Sequence, residues 1–209
     1  MKSIIVADDH AIVRRGIKQI ILDEFPFAEI KEVSDGEELV REVLFNKYDI
    51  VIADISMPGR SGLEAVAQIK EHCPQLPVLI LSMYPEEQYA VRALKAGASG
   101  YLKKDMAPEE LVKAMYTVIK GKKYITASVA EKLASLLDRD GEKLPHELLS
   151  DRELEVFKQV AKGRSIIEIS NKLSVSPSTI STYRTRILSK MGLESNADLT
   201  QYMIQNGLD

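Results

Sequence analysis

The chain has 209 residues, of which 45% are hydrophobic and 28% are charged, and its formal net charge at pH 7 is −3. This composition is typical of a soluble globular protein, and no apolar run approaches the roughly 20 residues that a membrane span needs. The amino-terminal MKSIIVADD turns acidic too early for a signal peptide. Cys73 is the only cysteine and the three histidines lack metal-ligand spacing, which excludes an internal disulfide and disfavours a zinc site. We therefore expect a cytoplasmic protein that does not bind membranes.

The first 121 residues alternate between short apolar runs and segments with helical periodicity. The predicted strands are SIIVA (3–7), EIKEVS (29–34), DIVIAD (49–54), VLILS (78–82) and GYLKK (100–104). The predicted helices cover 11–22, 36–45, a segment that starts at Ser61, 86–97, and a segment from Pro108 to Gly121. Parallel strands need crossover helices, so five βα units predict an α/β doubly wound, five-stranded parallel sheet. The expected strand order is 2-1-3-4-5, as in flavodoxin-like folds.

The rest of the chain has a different pattern. Residues 122–149 contain one short amphipathic helix, ASVAEKLASLLD, followed by RDGEKLPHE, whose charges, glycine and proline are typical of a linker. Residues 150–209 contain no strand pattern but four helix starts, each marked by a serine. The turn LSVSPS between the second and third of these helices has the length of a helix-turn-helix. We therefore predict a sheet domain at 1–121, a linker at 122–149 and a small all-α domain at 150–209.

Polar side chains stand at the carboxyl ends of four predicted strands, where ligands bind in doubly wound sheets. They are Asp8, Asp9, Asp54, Ser82, Lys103 and Lys104. Each one alone is better explained as a strand-end turn or a helix start, but the conjunction is far less probable by chance. Crowded carboxylates repel one another, and Mg²⁺ suits such a site because it binds through one or two carboxylates and keeps its waters. Asp54 could then accept a phosphoryl group while Mg²⁺ and Lys104 offset the arriving charge.

Four motifs, VADDH, DIVIADISMPGRSG, LILSM and AGASGYLKKD, resemble those of the receiver domain of bacterial two-component response regulators. The resemblance covers residues 1–121 and makes Asp54 the phosphoacceptor. The other implied roles are Mg²⁺ ligation by Asp8, Asp9 and the Ser56 backbone carbonyl, switching by Ser82 and Tyr101, and phosphate pairing by Lys104. His10 follows the subfamily pattern, in which we expect it to start a helix rather than to bind metal. Lys103 falls one position early and is expected to be a surface charge.

Residues 149–207 resemble the LuxR-type helix-turn-helix of the NarL/FixJ family. The resemblance makes 177–191 the recognition helix, which carries three cations and no acid. Such a helix suits the major groove of promoter DNA, where cations meet phosphates and short polar side chains reach base edges. The DNA-binding residues that this implies are Ser181, Thr182, Arg184, Thr185, Arg186 and Lys190.

The recognition helix departs from the family where TISTY stands in place of the common TVKTH. Ser181 replaces a lysine, Tyr183 a histidine and Arg184 an aliphatic residue. Losing the lysine weakens the argument for a strong guanine contact. Arg184 can restore the charge, at a base or at a phosphate.

The last predicted helix, 196–206, carries Leu199, Tyr202 and Met203 on one stripe. One interpretation is core packing within the domain. The resemblance implies instead partial exposure and pairing with a second copy, and a homodimer would read two half-sites. The two interpretations are compatible and stay open here.

These motifs leave three hypotheses for the function of the protein. The leading hypothesis is a DNA-binding transcriptional regulator whose Asp54 is phosphorylated by a histidine kinase, after which the active form dimerises and binds a promoter. It is not an enzyme beyond its own phosphoryl transfer and dephosphorylation. A phosphatase would need a second acid two residues after the nucleophile, and that position holds Ser56. A regulator that works without phosphorylation is the third hypothesis, although its receiver would usually lack part of the site.

Overall fold

The computed structural model describes residues 3–106, 108–137 and 144–208. Most of the predicted RDGEKLPHE linker, residues 139–143, lies outside these ranges. The chain divides into two compact units, Met1–Asp138 and Arg139–Asp209, which are described separately. No helix within the described ranges combines the length and the hydropathy that crossing a bilayer requires.

The first unit is built on a sheet of five parallel strands in the order β2-β1-β3-β4-β5, as predicted. The strands are β1 (Ser3–Ala7), β2 (Glu29–Val33), β3 (Ile50–Ala53), β4 (Val78–Ser82) and β5 (Gly100–Lys103). The helices are α1 (Ala11–Glu24), α2 (Gly36–Phe45), α3 (Gly62–His72), α4 (Glu86–Lys95), α5 (Pro108–Ile119) and α6 (Ala127–Leu137). Every strand and helix predicted for this part of the chain is present, with ends that shift by a few residues at most.

The central strands are buried on both faces, because helices cover the sheet from two sides. All four residues of β3 are buried. On one face, Ile4 and Ile52 pack with Ile17 of α1 and Met115 of α5. The strand residues that point the other way are buried as well, as expected for a sheet whose remaining helices cover its second face. The arrangement brings the carboxyl ends of β1, β3, β4 and β5 to one edge of the sheet.

The segment after α5 packs on the first unit. The Tyr124 amide donates to the Ser99 carbonyl at 2.8 Å, and Tyr124 also bridges to Gly100 of β5. A Cβ at Gly100 would lie 2.9 Å from Tyr124 atoms, so only glycine lets the segment pass so close. The Thr126 hydroxyl donates to Glu86 of α4 at 2.9 Å, and α6 packs against α4. The helix predicted within the linker is therefore held against the sheet unit, and the compact units divide after it.

The second unit contains four α-helices within its described residues. They are α7 (Asp151–Ala161), α8 (Ile166–Leu173), α9 (Pro177–Met191) and α10 (Asn196–Gln205), preceded by a short 3₁₀ helix, Pro145–Leu148. The four predicted serines each accept a hydrogen bond from the amide three residues later, which caps the helix. Ser174 adopts a left-handed conformation between α8 and α9, which ends the first helix of the predicted helix-turn-helix.

Candidate functional site

Two buried carboxylates and one exposed one meet at the edge of the sheet. Asp8 follows β1 and Asp54 follows β3, and these residues are 1% and 4% exposed. Asp9 and His10 complete the group, and one ligand atom from each of the four residues lies within 4.8 Å of the others. Because β1 and β3 are paired neighbours, strand order alone brings Asp8 and Asp54 together. The predicted convergence of the acidic residues is therefore present in the structure.

Lys104 joins the two buried carboxylates. Its Nζ lies 2.6 Å from Asp8 Oδ2 and 2.7 Å from Asp54 Oδ2, and only 7% of its side chain is exposed. Burial alone would lower the pKa of Lys104, but the adjacent Asp54 and Asp8 carboxylates raise it, so the ammonium stays charged. Burial raises the pKa of Asp54 to about 6, although Lys104 opposes that shift. Lys103, by contrast, is half-exposed and lies 3.7 Å from Asp105.

The loop after β3 fixes the backbone around Asp54. The Ile55 amide donates to Asp54 Oδ1 at 2.7 Å, and the Gly62 amide donates to the Ile55 carbonyl at 2.8 Å. A Cβ at Gly62 would overlap the Asp54 carbonyl oxygen, so the loop can fold back this closely only around glycine. Ser61 and Glu64 form the predicted capping box that starts α3.

The two predicted switch side chains meet at one residue that the sequence analysis did not single out. The Tyr101 hydroxyl donates to the Tyr84 carbonyl at 2.7 Å, and the Tyr84 amide donates to Ser82 Oγ at 3.3 Å. The Tyr84 hydroxyl lies 3.0 Å from Ser56 Oγ, and its ring stacks on Tyr89 of α4 at 4.6 Å between centroids. Burial raises the pKa of Tyr101, so its hydroxyl stays protonated and donates. The only sequence signal for Tyr84 is its position two residues after Ser82.

The donor set fits a hard divalent cation. Carboxylate oxygens are the ligands that Mg²⁺ prefers, and Asp8, Asp9 and Asp54 supply them within one cluster. Asp8 Oδ2 is buried, and the charge that it faces is the Lys104 ammonium, 2.6 Å away. His10 is the residue before α1, as predicted, and its Nδ1 lies 2.6 Å from Asp9 Oδ1.

The predicted base-facing side chains all lie on the exposed surface of α9. Ser181, Thr182 and Thr185 are each exposed. Each hydroxyl donates to the carbonyl four residues earlier, at 3.1, 3.0 and 3.1 Å respectively. The opposite face of α9 carries Ile180 and Ile187, which are buried in the core of the unit.

The three cations of α9 are placed differently. Arg184 Nε donates to Asn196 Oδ1 at 2.7 Å, which ties α9 to the start of α10. Lys190 Nζ lies 2.6 Å from Glu153 Oε2, and Glu153 is a buried residue of α7. Arg186 is exposed and has no hydrogen-bond or ion-pair partner among the described residues. The structure thus brings two of the predicted DNA-binding cations into contacts within their own unit.

The predicted dimer stripe is largely inside the unit. Leu199 and Met203 are buried, with 0% and 3% exposure. Tyr202 is half-buried, and its hydroxyl lies 2.9 Å from His146 Nδ1. These positions agree with the core-packing interpretation, and on this helix it is Ile204, 65% exposed, that offers a large apolar side chain to solvent.

Two family models match the chain. Residues 4–116 match the response regulator receiver domain, and residues 147–203 match the luxR family of bacterial regulatory proteins. The chain is 35% identical over 209 residues to the response regulator UvrY of Escherichia coli K12. The alignment covers all of this chain and 96% of UvrY. The chain is a response regulator of the NarL/FixJ family. The resemblance identified from the sequence is confirmed.

Other relatives of this response regulator agree with that assignment. It is 36% identical over 212 residues to the oxygen regulatory protein NreC of Staphylococcus aureus, and the alignment covers 98% of each chain. Its structure is similar to that of RcsB from Salmonella enterica serovar Typhimurium bound to promoter DNA with the phosphate mimic BeF3⁻, at 30% identity, a TM-score of 0.58 and 97% coverage of each chain. The family consists of transcriptional response regulators rather than classical enzymes, which argues against the phosphatase hypothesis.

Proposed function

We propose that this response regulator accepts a phosphoryl group on Asp54 from a sensor histidine kinase, and that phosphorylation promotes homodimerisation and promoter binding. The observation that carries the proposal is the placement of Lys104 Nζ within 2.7 Å of both Asp8 and Asp54. A cation held there by two carboxylates is in position to pair with the oxygens of an incoming phosphoryl group.

The transfer is a displacement at phosphorus. One carboxylate oxygen of Asp54 bonds to phosphorus as the bond from phosphorus to the imidazole nitrogen of the kinase breaks. The imidazole leaves with the electron pair of that bond and takes a proton from solvent. Since the pKa of Asp54 is about 6, most of the carboxylate is ionised at pH 7.5 and able to attack. Lys104 then faces a dianionic phosphoryl group instead of a carboxylate alone.

Asp8, Asp9, Asp54 and the Ser56 backbone carbonyl are the residues that would hold Mg²⁺. When bound, the ion would neutralise phosphoryl oxygens and offset the repulsion between the clustered carboxylates. This assignment is supported by the carboxylate cluster, in which Asp8 and Asp54 are buried. His10 would help by keeping the Asp9 carboxylate turned toward the cluster.

Ser82 and Tyr101 would report the phosphorylation state. The Ser82 hydroxyl stands beside the site, and Tyr84 connects it to Tyr101 through a main-chain amide and a carbonyl. A phosphoryl group that takes the Ser82 hydroxyl as a donor would bias this arrangement, which shifts an existing equilibrium rather than creating a new state. The stacked pair of Tyr84 and Tyr89 would carry the change to α4.

The second unit would bind promoter DNA through α9. Its exposed surface offers Ser181, Thr182 and Thr185 to base edges and Arg186 to the phosphate backbone. Arg184 and Lys190 can still approach phosphates if they exchange their present partners. The similar RcsB chain is seen on promoter DNA, which supports DNA binding by this chain. Dimerisation would place two copies of α9 on two half-sites.

Intact mass after incubation with Mg²⁺ and acetyl phosphate tests the acceptor. The wild type should gain one phosphoryl group and Asp54→Ala none. Asp23→Ala is the matched control, because within the described residues the Asp23 side chain bonds only to Gln19, on the exposed side of α1. A full gain in Asp54→Ala would refute the assignment, and unchanged DNA affinity in that variant would favour a regulator that works without phosphorylation.

A further inference from the structure

The exposed face of α9 offers DNA an unusual set of groups. Three hydroxyl side chains occupy the base-facing positions, and the hydroxyl hydrogens of all three point into the helix. Ser181 donates to Pro177 O, Thr182 to Ser178 O and Thr185 to Ser181 O. The atoms left to face outward are therefore oxygen lone pairs and the two threonine γ-methyl groups.

In these orientations the three hydroxyl groups offer no donor to the acceptors of a guanine. Guanine presents N7 and O6 in the major groove, and both need donors, usually from Arg or Lys. Of the cations on α9, Arg184 and Lys190 are engaged with Asn196 and Glu153. Arg186 alone has no partner among the described residues, so at most one side chain of this helix is ready for such a contact.

A thymine suits the same surface well. Its C5-methyl group projects into the major groove and is read by apolar contact, for which a threonine methyl is a recognised partner. Thr182 and Thr185 lie three residues apart and so share one face of the helix. Both residues are exposed, so their methyl groups are available to a ligand.

We propose that this protein selects its DNA sites by contact between the methyl groups of Thr182 and Thr185 and the C5-methyl groups of thymines in each half-site. The inference rests on the proposed DNA binding by α9 and names the feature that the helix reads. Ser181 lacks a methyl group and contributes an acceptor for the amino group of adenine or cytosine.

The test uses the full-length phosphorylated protein and a duplex selected from a random library for tight binding. Each thymine of the half-site is replaced in turn by deoxyuridine, which lacks only the C5-methyl group. Removing a methyl contact is expected to weaken binding roughly fourfold, which corresponds to about 0.8 kcal/mol for one buried CH₂ group. In the wild type, one or two thymines of the half-site should show this loss of affinity on replacement by deoxyuridine. The loss at such a thymine should disappear in Thr182→Ser or in Thr185→Ser.

Thr200→Ser on α10 is the control variant, because serine keeps the hydroxyl that bonds to the Ala161 carbonyl at 2.8 Å and to the Asn196 carbonyl at 3.1 Å. It removes a methyl group outside α9 and should keep the full deoxyuridine penalty. Circular dichroism of each variant verifies that the substitutions leave the fold intact. Tight binding with no deoxyuridine effect at any thymine would overturn the inference and leave the DNA-binding function standing. A penalty that persists in both Thr→Ser variants would overturn the assignment of the two residues. Failure to select any duplex would instead refute DNA binding itself.

Discussion

At the scale of single residues, the site depends on one lysine between two buried carboxylates. Removing one member of a buried ionic group usually costs several kcal/mol, because the remaining charges lose their partner. Here the remaining charges are Asp8 and Asp54, which would repel each other across the position that the ammonium now occupies. A divalent cation bound to the same carboxylates can replace part of that lost attraction.

We predict that Lys104→Met lowers the free energy of unfolding by about 3 kcal/mol in EDTA at pH 7.5. Added Mg²⁺ should stabilise the variant more than the wild type. In the variant, no lysine ammonium competes with the ion for the Asp8 and Asp54 carboxylates. Urea unfolding at several Mg²⁺ concentrations measures both effects. Lys103→Met is the control, since Lys103 is half-exposed, and it should change stability by less than about 0.5 kcal/mol. Equal Mg²⁺ responses in the two variants would contradict the assignment of Lys104.

A second prediction at this scale concerns Gly62. Gly62→Ala should destabilise the fold by about 1–3 kcal/mol and slow phosphorylation by acetyl phosphate, because a Cβ there overlaps the Asp54 carbonyl and must displace the acceptor backbone. Gly16→Ala is the matched control. Gly16 lies inside α1 with no atom near its Cβ position, so alanine there should stabilise the protein by up to about 1 kcal/mol. Thermal unfolding and phosphorylation rates of the pair give the answer, and a Gly62→Ala protein with normal rates would be incompatible with the packing described.

At the scale of elements, a side-chain hydrogen bond and direct packing connect α4 to α6. Thr126 donates to Glu86 and also accepts from the Val129 amide at 3.3 Å, so it both caps α6 and fastens it to the first turn of α4. Helix α4 also carries Tyr89, which stacks on Tyr84 beside the switch residues. Contacts through Tyr84, Tyr89 and α4 therefore connect the proposed phosphorylation site to α6.

We predict that Thr126→Val loosens α6. Loss of an N-cap hydroxyl costs about 1 kcal/mol, so amide hydrogen exchange in residues 127–137 should accelerate roughly fivefold. Thr117→Val is the control, because the bond that the Thr117 hydroxyl makes to the described part of the chain stays within its own helix, at the Lys113 carbonyl, 2.8 Å away. Hydrogen-exchange mass spectrometry resolves the two regions. Unchanged exchange in α6 would show that the bond to Glu86 does not hold the helix in place.

Sequence reasoning predicted what depends on local pattern and missed what depends on contacts across the fold. Strand ends and serine caps are local, so the cluster of Asp8 and Asp54 followed from strand order. Tyr124 lies against Gly100, and Lys190 pairs with Glu153. The two residues of each pair are distant in sequence. No periodicity or spacing encodes such pairs. For that reason the sequence did not show that residues 122–137 of the predicted linker 122–149 pack on the first unit, or that Lys190 contacts Glu153.

At the scale of the whole molecule, the two units carry different chemistry on one chain. In the proposed function, the first supplies an acceptor carboxylate with a charge-compensating lysine, and the second supplies a helix for the major groove. Regulation requires that phosphorylation of the first changes the DNA affinity of the second, which is a coupling free energy between two sites. Couplings of 1–3 kcal/mol are typical and correspond to changes in affinity between about 5-fold and 150-fold.

The most direct test of this account measures DNA affinity and phosphorylation in the same sample. The full-length protein, with Mg²⁺ and with or without acetyl phosphate, is titrated onto a selected duplex while intact mass reports the phosphorylated fraction. We predict at least a fivefold gain in affinity for phosphorylated wild type and none for Asp54→Ala. Complete phosphorylation of Asp54 with unchanged affinity would contradict the account, because the acceptor site would then not control DNA binding.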